Sequence, residues 1–126
     1  MRRLLLAALL IFVPAAAQAV SPIDSTNMTY DSGHGTQVEY LARDGSANLW
    51  YPGNAVILHG RWRQQGANLC FNYGPHTYNP VTHVYGAKWE CESTSLYNSL
   101  LVEQANGDVF RLAGRSAVPY PLPPIG

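Results

Sequence analysis

Ala67-Asn68-Leu69-Cys70-Phe71-Asn72-Tyr73 alternates side-chain character with a period of two. Leu69, Phe71 and Tyr73 fall on one face of an extended chain, and Asn68, Cys70 and Asn72 on the other. It is the clearest strand in the sequence, and the fold is read outward from it. Gln64-Gln65-Gly66 in front of it is a turn, so Ala55–Arg63 becomes the preceding strand of a hairpin. Gly60 marks a bulge or a close backbone approach in that strand. Further upstream, Arg43-Asp44-Gly45-Ser46 is a turn between the β-prone stretches Gln37–Ala42 and Ala47–Tyr51. Pro52-Gly53-Asn54 then breaks the second of these. Downstream, Gly74–Thr82 reads as a long irregular loop. Val84–Glu92 reads as a fifth strand, with Ala87, Trp89 and Cys91 on one face and Glu90 and Glu92 on the other.

Thr94–Gln104 admits two readings. Leu96, Leu100 and Leu101 line one side of a short helix. Leu100-Leu101-Val102 running into Ala105-Asn106-Gly107-Asp108 makes a hairpin, and the Asn-Gly pair favours it. Ser99–Gln104 is therefore expected to pair with Val109–Ala113. Successive hairpins without a strand–helix–strand rhythm predict an all-β fold. The expected form is an antiparallel meander of six to seven strands, making a small open barrel or sandwich with one disulfide.

The ends of the chain read differently. Residues 1–19 have the layout of a secretory signal peptide: Arg2 and Arg3, the apolar run Leu4–Val13, and the small-x-small Ala17-Gln18-Ala19. The run is short for a bilayer span. No other long apolar stretch follows, so no transmembrane segment is expected in the mature chain, which is placed in the periplasm or outside the cell of a bacterium. Residues 20–35 read as a flexible leader and 36–115 as the β domain. Residues 116–126, with Val118-Pro119-Tyr120-Pro121-Leu122-Pro123-Pro124, read as a proline-rich tail that covers a sheet edge or docks a partner.

The whole chain is balanced, with 8 basic and 8 acidic residues. Beyond residue 19, six basic and eight acidic side chains leave a net charge of −2. That charge lacks the footprint of a nucleic-acid binder. Cys70 and Cys91 are the only cysteines, and in an oxidising compartment an even pair reads as a disulfide. A metal pair or a reactive thiol fits less well, because there is no CxxC and no His three or four residues from either Cys.

In order along the chain stand Asp44-Gly45, Gly60-Arg61-Trp62, Leu69-Cys70-Phe71-Asn72-Tyr73 and Cys91. This string resembles that of small uncharacterised secreted or periplasmic proteins of Gram-negative bacteria, which share a G-x-W strand, an L-C-x-x-Y strand and a second Cys. More distantly, its G-x-W resembles the signature of lipocalin-like barrels. The resemblance covers Thr36–Glu92 and implies a fold and an address, not a reaction.

His34, His59, His76 and His83 have no spacing that sets two ligands on one element. No G-x-S-x-G or other nucleophile arrangement is present. No catalytic residue, metal or cofactor is assigned. The aromatic side chains are the better lead, as a stacking surface for a sugar or a peptide. Trp50, Tyr51 and Tyr85, with His76 and Tyr78 from the long loop, are the candidate binding residues. Trp62, Phe71 and Trp89 are assigned to packing. The expected function is a small secreted or periplasmic binding protein, inhibitor-like in character, with a protein or envelope component as partner. Two alternatives stand beside it. One is a metal-dependent or hydrolytic envelope enzyme using His59, His76, His83 and Glu90. The other is a passive envelope or stress protein. The sequence leaves the oligomeric state open.

Overall fold

A computed structural model describes residues 21–74, 78–79, 83–85 and 88–117. The signal-peptide reading of 1–19, the candidate His76 and the proline run from Val118 onward lie outside the described residues. The elements in chain order are β1 (Ser25–Asp31), β2 (Gly35–Leu41), β3 (Ser46–Trp50), β4 (Leu58–Gln65), β5 (Asn68–Asn72), β6 (Tyr78–Asn79), β7 (Val84–Tyr85), β8 (Glu90–Ser93), α1 (Thr94–Ser99) and β9 (Leu101–Asn106). A 3-10 turn at Leu112–Gly114 follows.

Seven strands form one antiparallel sheet in the order β8-β5-β4-β3-β2-β1-β9, and β6 and β7 make a separate hairpin. β1 to β5 run as the expected meander, each paired with the next. The chain then goes from one edge, β8, to the other, β9, through the six residues of α1. Laid flat, seven strands would span about 29 Å between their outer axes. Six helical residues span only about 9 Å. The sheet must therefore curl until its edges approach, and it is a half-barrel with α1 bridging the gap.

Register fixes two faces. Asn27, Glu39 and Leu49 stand side by side on one, and Met28, Val38 and Trp50 on the other. Tyr97 of the bridging helix reaches Glu39, so the glutamate face is the inner one. The outer face carries the core of Val38, Trp50, Ile57 and Leu112, with Met28, Tyr40 and Phe110 packed against it. The C-terminal segment covers this core. Asp108 accepts the N–H groups of Leu112 (2.8 Å) and Ala113 (2.9 Å), and the Thr26 hydroxyl donates to the Gly107 carbonyl (2.6 Å). Cys70 and Cys91 lie directly opposite in β5 and β8 and form the expected disulfide. The Arg63 guanidinium sits over the Trp89 ring, 4.0 Å from its centroid.

Several expectations are corrected. Residues 25–31 are not part of a flexible leader. They form β1, inside the sheet between β2 and β9. Ser25, Thr26, Asn27 and Thr29 are polar yet buried there; Asn27 bonds to Pro22 and Gln104, and Thr26 to Gly107. Ser99–Gln104 does not pair with Val109–Ala113. Thr94–Ser99 is helical, β9 pairs with β1, and 109–113 is held in a turn by Asp108. Val84–Glu92 is not one strand but the separate β7 and β8. Gly60 marks a close approach rather than a bulge: a Cβ there would meet the Asn72 carbonyl oxygen and, at 2.8 Å, the Tyr73 Cα. The register shift lies instead between β1 and β9, at Met28/Thr29.

Candidate functional site

Glu39 occupies the middle of β2, in register with Asn27 and Leu49. Neighbouring strands on both sides leave it 6% exposed. Its Oε1 accepts a hydrogen bond from the Tyr97 hydroxyl at 2.8 Å, and its Oε2 accepts one from the Tyr73 hydroxyl. Tyr97 is the one buried residue of α1, a helix whose start is capped by Ser93 Oγ accepting the Leu96 N–H. Tyr73 follows β5 and lies against Gly60. The Phe71 ring stacks on Tyr73, with centroids 6.4 Å apart, and on Tyr97, 5.9 Å apart.

Asn27 extends this arrangement. Its Oδ1 accepts from Gln104 Nε2 at 2.8 Å, its Nδ2 donates to the Pro22 carbonyl at 2.8 Å, and its side chain lies near enough to the Tyr97 hydroxyl to oppose the rise of that phenol's pKa. A polar row thus crosses the inner face: Gln104, Asn27, Tyr97, Glu39, Tyr73. Beside it, Gln37 donates to the Tyr51 hydroxyl at 2.7 Å. His34 Nδ1 lies 2.9 Å from the Asp31 carboxylate at the turn between β1 and β2. Glu92 comes from β8, opposite Leu69.

Burial without a cation at hydrogen-bonding distance raises the Glu39 pKa to about 7; the Glu92 charge adds to the rise, while the two phenols and His34 oppose it. Burial likewise raises Glu92. Burial and the Glu39 charge push Tyr73 and Tyr97 well above the ordinary tyrosine value. A carboxyl poised near neutrality can take or release a proton at physiological pH, and when neutral it can donate a hydrogen bond.

The sequence-derived candidates are placed as follows. Tyr51 joins the inner-face cluster. Trp50 does not belong to a binding surface: it is fully buried on the outer face, edge-on to Phe110. It points away from Tyr51 because adjacent strand residues alternate. Tyr78 and Tyr85 stand opposite each other in the β6–β7 hairpin, and the exposed Tyr78 bonds His83 Nδ1 through its hydroxyl at 2.9 Å. His59 and Glu90 fall on opposite faces of the sheet, and the ring nitrogens of His59 are engaged with Asn48 and the Arg115 carbonyl. Among the described residues, no group of three or more His, Cys, Asp or Glu is arranged to hold a metal.

Sequence reasoning missed Glu39, Asn27 and Tyr97. One signal was available. Val38 and Leu41 are both apolar yet lie on opposite faces of a strand, which marks a strand covered on both sides. Glu39, between them and on the face of Leu41, is then buried. No protein family, curated protein or solved structure matches this chain.

Proposed function

We propose that the protein is a small binding module working outside the cytoplasm, and that the inner face of the half-barrel meets its partner. One observation carries this reading. Half-buried Gln37, Tyr51, Phe71, Tyr73 and Glu92 gather around the Glu39 row on a sheet that does not close, whereas the outer face is covered by the chain's own C-terminal segment. Flat aromatic surface with polar groups beside it suits a sugar or peptide segment of an envelope component, held by stacking and by hydrogen bonds. The disulfide fits an oxidising compartment, as does the reading of residues 1–19 as a secretion signal.

The test uses oxidised protein from Val20 to Gly126 as bait on envelope extract, with Tyr51→Ala and Gln37→Ala variants beside it. Saturable capture that is lost in both variants is the expected result. A partner retained by both variants moves the contact off the inner face. Absence of any saturable partner removes the binding reading in favour of a passive envelope protein.

A further inference from the structure

Across β4, β5 and β8 the outer face of the sheet carries three residues in one row. Arg63 stands opposite Cys70, and Cys70 opposite Cys91. Strand alternation puts Gln65 on this face too. Glu90 and Glu92, the chain neighbours of Cys91, fall on the inner face with Phe71 and Leu69. The disulfide thus has a guanidinium on its own side of the sheet and its flanking carboxylates on the other.

The two sulfurs differ in access. Cys70 lies in β5, which has a strand on each side, and is fully buried. Cys91 lies in the edge strand β8 and is exposed. The Arg63 side chain starts opposite Cys70 and ends over the Trp89 ring on the far side of β5, so it roofs Cys70 and leaves Cys91 open. The Gln65 amide joins the two groups. Its oxygen accepts from Arg63 Nε and Nη2, each at 3.2 Å. Its nitrogen then faces the disulfide, 3.5 Å from Cys70 Sγ and 3.8 Å from Cys91 Sγ. The opposite orientation would aim the amide oxygen at two sulfurs that carry no proton. An N–H aimed at a closed disulfide is a weak contact. It becomes a charge-assisted hydrogen bond once that sulfur is a thiolate.

We propose that the Cys70–Cys91 bridge is a thiol–disulfide exchange site with a fixed direction: a small thiol attacks Cys91, and Cys70 leaves as the thiolate, held by Gln65 and Arg63. The incoming thiolate forms a bond to Cys91 Sγ, the Cys70–Cys91 bond breaks, and its electron pair stays on Cys70 Sγ. One disulfide replaces another, so no outside oxidant is consumed. The ladder between β5 and β8 includes pairs on both sides of the cysteines, so Cys70 stays beside Cys91 and can attack the mixed disulfide to restore the bridge. Gln65 acts as a positioning residue through the sulfur it faces. The site lies on the outer face and is independent of the inner-face binding reading.

The test treats the oxidised chain from Val20 to Gly126 with reduced glutathione at pH 8 without denaturant, followed by acid quench, alkylation and peptide mass mapping. Glutathione is expected on Cys91 and the alkyl group on Cys70, in excess over the reverse product by about tenfold or more, and the rate is expected to rise in proportion to thiol. Gln65→Met keeps the length of the side chain and removes its N–H. It is expected to slow exchange several-fold at an unchanged urea midpoint, and to raise the Cys70 thiol pKa, read from thiolate absorbance in a Cys91→Ser background. The proposal is overturned if glutathione goes mainly to Cys70, or if the rate reaches a plateau independent of thiol, which marks attack through global unfolding. It is also overturned if Gln65→Met leaves both the rate and the thiol pKa unchanged. Should the Cys91→Ser background not fold, the product pattern and the exchange rates decide alone.

Discussion

At the scale of single residues, Gly60 shows how a missing side chain sets the site. The backbone of Asn72 and Tyr73 crosses its Cα so closely that an added methyl would meet the Asn72 carbonyl oxygen, the Tyr73 Cα and the Tyr73 ring. Two of these are backbone atoms, which cannot turn aside as a flexible side chain can. Relief requires Tyr73 to shift, and with it the hydroxyl that reaches Glu39. Gly60→Ala is therefore predicted to cost about 2–3 kcal/mol, in the range of overpacking substitutions. Urea denaturation checks it: the midpoint should fall with the slope unchanged. An unaltered midpoint would show that β4 and β5 can separate without loss.

At the scale of elements, two fasteners carry separate predictions. The Cys70–Cys91 bridge closes a loop with a sequence separation of 21 and joins β5 to the edge strand β8. Loop closure of that size is worth about 3 kcal/mol, so the Cys70→Ser/Cys91→Ser double variant is predicted to melt well below the oxidised protein. Reduction of the wild type should reproduce that loss in a calorimetric scan. Asp108 fastens the cover over the outer core by accepting the Leu112 and Ala113 N–H groups. Asp108→Ala is predicted to cost about 1 kcal/mol, as for loss of a helix cap, and to admit a soluble quencher to Trp50. Unchanged tryptophan quenching would show that Leu112 and Phe110 hold the cover alone. These elements also show what was legible in the sequence. β3, β4 and β5 were readable because turn residues bracket alternating runs, so local chemistry decides them. β1 was not. Ser25, Thr26, Asn27 and Thr29 look like loop residues and are nonetheless buried, and for Thr26 and Asn27 the partners lie some 80 positions away, at Gly107, Val109 and Gln104. The same long-range capture takes Gly107 away from the hairpin that Asn106-Gly107 promises, since its N–H donates to the Asp24 carbonyl. Glu39 was hidden for a related reason: a polar residue in an alternating strand reads as solvated until the second face is known to be covered.

At the scale of the whole molecule, curling the sheet encloses carboxyl groups, and this sets how stability depends on pH. Glu39 has a folded-state pKa of about 7 against an ordinary 4.5. Below pH 4.5 both the folded and the unfolded chain hold the proton, and its contribution is fully present. Between pH 4.5 and 7 the unfolded chain has released a proton that the folded chain keeps, so stability falls as pH rises. Above pH 7 the loss is complete, on the order of 3 kcal/mol from the size of the shift. Glu92, raised by burial, acts in the same direction. Asp31 acts oppositely: burial raises it, but the hydrogen bonds from His34 and Gly33 outweigh that and lower it, so its contribution is lost on acidification. The protein is thus predicted to be most stable on the acid side of neutrality, between the ranges where Asp31 and Glu39 titrate. Urea denaturation at pH 5 and pH 8 measures this. The wild type should lose on the order of 3 kcal/mol over that interval, and Glu39→Gln distinctly less, because an amide has no proton to release. Equal losses in the two proteins would assign the pH dependence to Glu92 and the remaining groups and leave Glu39 without a part in it.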